Sequence, residues 1–241
     1  MSPPAAAFDE ARPHGAARAL GAGVVVTLAA AAASVFGPQE YSGTLVGACF
    51  LAATWWFVLR RDEQTVRAFG LSLGGILEPS PISLRQIRHD IRRALPTLLL
   101  TMLVVFPPYW AGFCWYWHPS AAFQFRVPSA FLDSVMAQVI VVAFPEEAFF
   151  RGYLQTSLER SWPSRWRVLG VPFGMATIVA SLVFALGHFL TIPNPGRLAV
   201  FFPALLFGWM RTKTGGIGAS VFFHAACNLF SAIIQNGYGI R

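Results

Sequence analysis

Charge is what this sequence has least of. Only 12% of its 241 residues are Asp, Glu, Lys or Arg, against 55% hydrophobic, and the mean hydropathy is +0.54. A soluble globular domain, with about a quarter of its residues charged, is excluded by that balance. Cysteine is scarce too: Cys49, Cys114 and Cys227 all lie inside apolar stretches without CxxC spacing. That rules out a disulfide framework and a thiolate metal site, and leaves the three as packing residues. No internal repeat is present, no HExxH occurs, and GASV at Gly218 to Val221 is not the GxSG of a rhomboid-type serine protease. Lysine occurs once against seventeen arginines. With the many alanines, this suggests a GC-rich genome and a bacterial plasma membrane.

What is there instead is a series of apolar runs long enough to span a bilayer. They fall at about Leu20 to Phe36, Ser42 to Leu59, Leu95 to Trp117, Ser129 to Leu154, Val168 to Leu190, Leu198 to Met210 and Gly215 to Ile234. The expected fold is all-α, a polytopic membrane bundle of about seven transmembrane helices. Its expected parts are a cytoplasmic tail (1–16), N-terminal helices with a basic loop (17–128) and a C-terminal membrane core (129–241). The first run could be read as a secretory signal, but the segment before it is long and carries Asp9 and Glu10, so an uncleaved helix is favoured.

The net charge of +7 is a topology signal and not a nucleic-acid patch. With the N-terminus inside, 15 of the 18 basic residues fall on the cytoplasmic side, and only Arg126, Arg197 and Arg241 fall outside. That is the positive-inside bias. The cluster PPYWAGFCWYWHP fits an outer aromatic belt after a proline-kinked third helix. IRHDIRR, in the Arg60 to Arg93 loop, reads either as an amphipathic helix on anionic headgroups or as a plain connector.

Against that background, polar residues inside the spans stand out. FPEEAFFRGYL places Glu146, Glu147 and Arg151 in one apolar helix, where each ionised group costs about 2.5 to 3.5 kcal/mol on insertion scales. Glu147 and Arg151 are four apart and can pair. Glu146 is turned by about 100° from Glu147, free to face a cavity. Pro145 lacks an N–H, so it leaves a carbonyl unpaired and kinks the helix beside Glu146. SLVFALGHFL sets His188 one turn after Phe184, with Gly187 allowing a close helix approach. VFFHAACNLF projects His224 and Asn228 from one face, as two donors for a developing oxyanion. Read singly, the clusters equally describe an ion pair, a packed histidine and interhelical polar glue. Read jointly, they supply a general base, an imidazole to share its proton and oxyanion donors, which is a hydrolytic site.

EEAFFR at Glu146 to Arg151, FALGH at Phe184 to His188 and HAACN at His224 to Asn228 match, in order, the EExxxR, FxxxH and HxxxN motifs of the CPBP family. This is the family of CAAX prenyl proteases and bacteriocin-processing or immunity proteins, which are intramembrane glutamic endopeptidases. FGWMRTKTGG also resembles the family's turn before the last motif helix. The resemblance covers about residues 129 to 234. It implies that Glu146 with His188 activates a water, that His224 with Asn228 stabilises the oxyanion, and that Glu147 and Arg151 support them. No metal is expected. A zinc site built from Glu146, His188 and His224 is the mechanistic alternative, and a non-catalytic scaffold or immunity protein of the same fold is the alternative in kind. A proton-coupled transporter is disfavoured by the lack of repeat symmetry.

The chain has one helix fewer than the eukaryotic prenyl-protein proteases. Its expected partners are the bilayer and a membrane-associated peptide or protein: leader peptides, bacteriocins or C-terminal sorting tails. For His188 to reach the depth of Glu146, SRWRVLGVP must be an interfacial segment, with the fifth helix starting closer to Phe173.

Overall fold

The computed structural model describes residues 13–78, 81–126 and 130–240. The tail before Pro13 with Arg12, the start of the fourth span at Ser129, and Arg241 lie outside the described residues. Helix α1 (Pro13–Phe36) is followed by α2 (Ser42–Thr54), which continues as a π-helical turn at Trp55–Leu59. Short α3 (Glu63–Ala68) precedes the 34-residue α4 (Leu84–Trp117). Helix α5 runs as Phe131–Met136, π-helical Ala137–Ala143, Phe144–Glu147, π-helical Ala148–Gln155 and Thr156–Ser161. A hairpin of β1 (Trp166–Val168) and β2 (Val171–Phe173) leads into α6 (Met175–Thr191), α7 (Phe201–Thr214) and α8 (Gly218–Tyr238).

Seven long helices therefore form the bundle among the described residues, and the all-α expectation holds. Four segments, Gly15–Phe36, Gln39–Leu59, Leu84–Trp117 and Gly218–Tyr238, are long and apolar enough to cross a membrane. Helix α5 is the central stave, contacted by α1, α2, α6, α7 and α8. Its Phe149, Phe150, Leu154 and Leu158 are fully enclosed. Helix α4 stands outside against α7 and α8 and exposes Leu99, Leu100, Leu103 and Val104 on its flank, a surface suited to lipid.

The proline expected to distort the helix that carries Glu146 does so. Pro145 cannot bond to the Val141 carbonyl, and the wider π-helical turn precedes it. Gly47 of α2 lies directly against that carbonyl, where a Cβ would collide with it. Gly187 behaves as expected, since a Cβ there would meet Thr27 of α1 at 2.8 Å. SRWRVLGVP is resolved as the β-hairpin, turning through Leu169 and Gly170, both at positive φ. Its Val168 carbonyl accepts a hydrogen bond from Trp209 Nε1 at 2.9 Å. Helix α6 consequently begins at Met175, close to the expected Phe173 and seven residues after the start of the apolar run at Val168.

The basic loop differs from both sequence readings. IRHDIRR is neither a separate surface helix nor a connector: it forms the first turns of α4, whose 34 residues span about 51 Å and so outreach the bilayer. Ser83 starts the helix by accepting from Gln86 N–H. Before it, the loop folds into a plug. Leu71 is fully buried against Gly152, and the Gly70 carbonyl accepts from Ile217 N–H at 3.0 Å, tying the plug to the start of α8. Arg67 grips Glu78 with two hydrogen bonds of 2.8 Å, and Gln86 also reaches Glu78.

The Arg67 guanidinium holds the Glu78 carboxyl down at about 2. A depressed carboxylate stabilises the fold fully above its unfolded value of about 4.5 and loses that contribution as pH falls through about 2. Thermal unfolding in detergent should therefore show a loss of stability between pH 4.5 and 2 that is smaller in Glu78→Gln. An identical acid profile in both proteins would contradict the clasp.

Candidate active site

The three sequence clusters meet in one place. Glu146 and Glu147 sit in the short α-helical piece between the two π-helical segments of α5. Such segments change the angular step between successive side chains, which lets neighbours in sequence face different surroundings. Glu147 is completely buried. Its Oε2 lies 3.3 Å from Nε of the equally buried Arg151, an ion contact without hydrogen-bond alignment, since neither atom has a hydrogen-bond partner. Its Oε1 lies 3.0 Å from Nδ1 of His224. A carboxylate can only accept, so His224 carries a proton on Nδ1.

The other imidazole nitrogen of His224, Nε2, faces Glu146 Oε2 at 3.8 Å. That gap is too long for a hydrogen bond and leaves the pair as a charge contact. Glu146 Oε2 has no hydrogen-bond partner among the described residues. The two carboxylates differ in their surroundings: Glu147 contacts His224 and Arg151 and does not line the cavity, whereas Glu146 lies on the cavity wall.

Glu146 faces a cavity of about 380 Å³, shared with His188 and Asn228. His188 Nδ1 lies 3.1 Å from the Phe184 carbonyl. A carbonyl only accepts, which places the proton on Nδ1 and leaves Nε2 as an acceptor in the neutral ring. Asn228 donates from Nδ2 to Gln138 Oε1 at 2.8 Å, and a carboxamide nitrogen has a second hydrogen to offer.

Aromatic rings fix these groups. Phe184, almost fully buried, lies between the two histidines, with ring centroids 4.4 Å from His188 and 5.8 Å from His224. It also lies 5.2 Å from the Arg151 guanidinium carbon. Phe207 of α7 stacks on His224 at 4.8 Å and 14° and faces Arg151 from 5.7 Å, so buried cationic charge is met by ring faces.

Two participants were not singled out from the sequence. Gln138 is one amide in an apolar stretch; its signal was a position eight residues before Glu146, on the same side of the helix. Phe207 is one phenylalanine among 22, and nothing in its neighbours marks it. The three groups of the zinc alternative, Glu146, His188 and His224, lie around the site, but among the described residues no three His, Cys, Asp or Glu side chains form a group that could hold a metal ion.

Residues 128–230 match the family described as Rce1-like, the type II CAAX prenyl endopeptidases. That span contains all the motif residues and starts three residues before α5. No curated protein matches the chain, and no solved structure does.

Removing Arg151 would leave Glu147 and its neighbours with uncompensated buried charge. Arg151→Ala should lower stability by about 3 to 5 kcal/mol, read as thermal unfolding in detergent. Arg151→Lys should restore only part, because an ammonium lacks the planar fork. A wild-type melting temperature in Arg151→Ala would remove the ion cluster from the account.

Proposed function

We propose, from the match of residues 128–230 to the family described as Rce1-like type II CAAX prenyl endopeptidases and from the likeness of the motifs to the CPBP family, that this chain is an intramembrane glutamic endopeptidase. At family level the chain is a multi-pass membrane endopeptidase acting on peptide substrates. The finer reading rests on one observation above all: Glu146 is a buried carboxylate facing a cavity it shares with His188 and Asn228, a cavity that Glu147 does not line.

In this reading Glu146 takes a proton from a water whose second contact is the His188 Nε2 lone pair. The water oxygen attacks the scissile carbonyl carbon. Charge then develops on the carbonyl oxygen, where the second Asn228 N–H and a proton on His224 Nε2 donate to it. Collapse breaks the C–N bond, and the proton held by Glu146 passes to the leaving amine. Glu147 holds His224 by Nδ1, so that Nε2 is the nitrogen presented beside Glu146. Two carboxylates, one guanidinium and a doubly protonated imidazole sum to zero charge, which suits a buried cluster. The substrates this fits are leader peptides, bacteriocins or C-terminal sorting tails in a bacterial plasma membrane, with the N-terminus cytoplasmic.

Glu146→Gln keeps shape and loses the base. It should abolish cleavage while preserving assembly, and peptides trapped by the purified variant would name the substrate. More than about a tenth of the wild-type rate remaining would contradict the assignment, since loss of a general base typically costs 10²-fold or more.

Asn228→Ala separates oxyanion stabilisation from the zinc alternative. Loss of one oxyanion donor should lower kcat by roughly 10² to 10³ with little change in substrate binding. Metal content should not change, because a carboxamide is a poor zinc ligand. Stoichiometric zinc in the wild type that is absent from His224→Ala would instead transfer His224 to the metal reading.

A further inference from the structure

The walls of the catalytic cavity show which end of the bundle it opens towards. Besides Glu146, His188 and Asn228, it is lined by Ser34 near the end of α1, Ser42 at the start of α2, and Ile192 and Arg197 in the connection from α6 to α7. Those four lie at the end of the bundle away from the basic plug and the β-hairpin. Helices α6 and α7 have 17 and 14 residues, or about 26 and 21 Å, short of a hydrocarbon core of about 30 Å. The turn joining them borders a depression that leads to Glu146.

Arg197 stands in that turn. It is partly buried, its Nε is enclosed without a hydrogen-bond partner, and it has no carboxylate partner among the described residues. The turn that carries it is braced. Asn194 Oδ1 accepts from Gly196 N–H at 2.8 Å, the Asn194 carbonyl accepts from Arg197 N–H at 2.9 Å, and Pro193 and Pro195 flank the pair. The one acidic side chain on the cavity wall is Glu146, which the chemistry already uses. A guanidinium on a braced turn, with no carboxylate partner among the described residues and on the wall that also carries His188, is suited to a planar anion arriving with the substrate.

We propose that Arg197 is an anion-binding site at the mouth of the catalytic cavity, that the mouth opens on the face away from the basic loops, and that the site receives a carboxylate of the peptide substrate. This rests on the endopeptidase reading. The carboxylate is either an acidic side chain or the chain terminus.

The test uses full-length protein with its three cysteines replaced and Val46→Cys introduced on the cavity wall. Right-side-out and inverted vesicles are treated with membrane-impermeant methanethiosulfonates carrying a sulfonate or a trimethylammonium group. Modification should occur from the right-side-out face, and Arg197→Gln should lower the ratio of anionic to cationic rates several-fold. Modification from inverted vesicles only, or an unchanged ratio, would overturn the proposal.

In phosphatidylcholine nanodiscs, Glu146→Gln protein should bind labelled decapeptides bearing a carboxylate about tenfold more tightly than matched amides, as expected for one charge-assisted contact. A free against an amidated terminus, and Glu against Gln, distinguish the two carboxylate sources. Adding Arg197→Gln should erase the difference. Equal binding of acid and amide, with the anionic reagent's advantage lost when phosphatidylglycerol replaces phosphatidylcholine, would assign the site to a lipid phosphate and overturn the proposal. None of these readouts needs cleavage, so an inactive enzyme would defeat the hydrolytic reading and leave the anion site standing.

Discussion

The arrangement depends on keeping a group of opposite charges buried between helices. Arg151, Glu147 and His224 have almost no contact with solvent, and each is tolerable only because the others are there. The cluster joins α5 to α8, while Phe184 of α6 and Phe207 of α7 close over it. Four helices are thus held in register by a polar contact that would be costly to break in an apolar setting. The same contact leaves Glu146, one residue away, with a free oxygen.

Helix α5 makes this possible through irregularity. A regular helix can present adjacent residues only about 100° apart, and its ladder would clash at Pro145. The π-helical segments on either side of Phe144–Glu147 accommodate the proline and widen the turn. Gly47 lets α2 come against the exposed Val141 carbonyl. The distortion and the polar residues proposed to act in catalysis therefore fall on the same few positions, as in other π-bulged helices.

Much of this was legible in the sequence, because intramembrane polar residues are expensive and so carry information. The Glu147 to Arg151 spacing, the freedom of Glu146, the close approach at Gly187 and the delayed start of α6 all followed from helix geometry and depth. The plug, described from Arg60 to Glu78, did not. Its fold rests on long-range contacts, Leu71 against Gly152 and Gly70 with Ile217, which have no periodic signature. The extension of α4 through IRHDIRR was hidden because its charged residues lie outside the apolar run that begins at about Leu95, yet the helix is continuous from Leu84. Gln138 and Phe207 were missed because their roles depend on which helix faces them.

The central claim is that two adjacent glutamates have separate duties, one holding the buried charges together and the other free for chemistry. Melting temperatures of Glu146→Gln and Glu147→Gln, measured side by side in one detergent, test it most directly. The account predicts a near wild-type value for Glu146→Gln and a large drop for Glu147→Gln, which strands Arg151 and releases His224. Equal stability of the two variants, or a greater loss in Glu146→Gln, would contradict it.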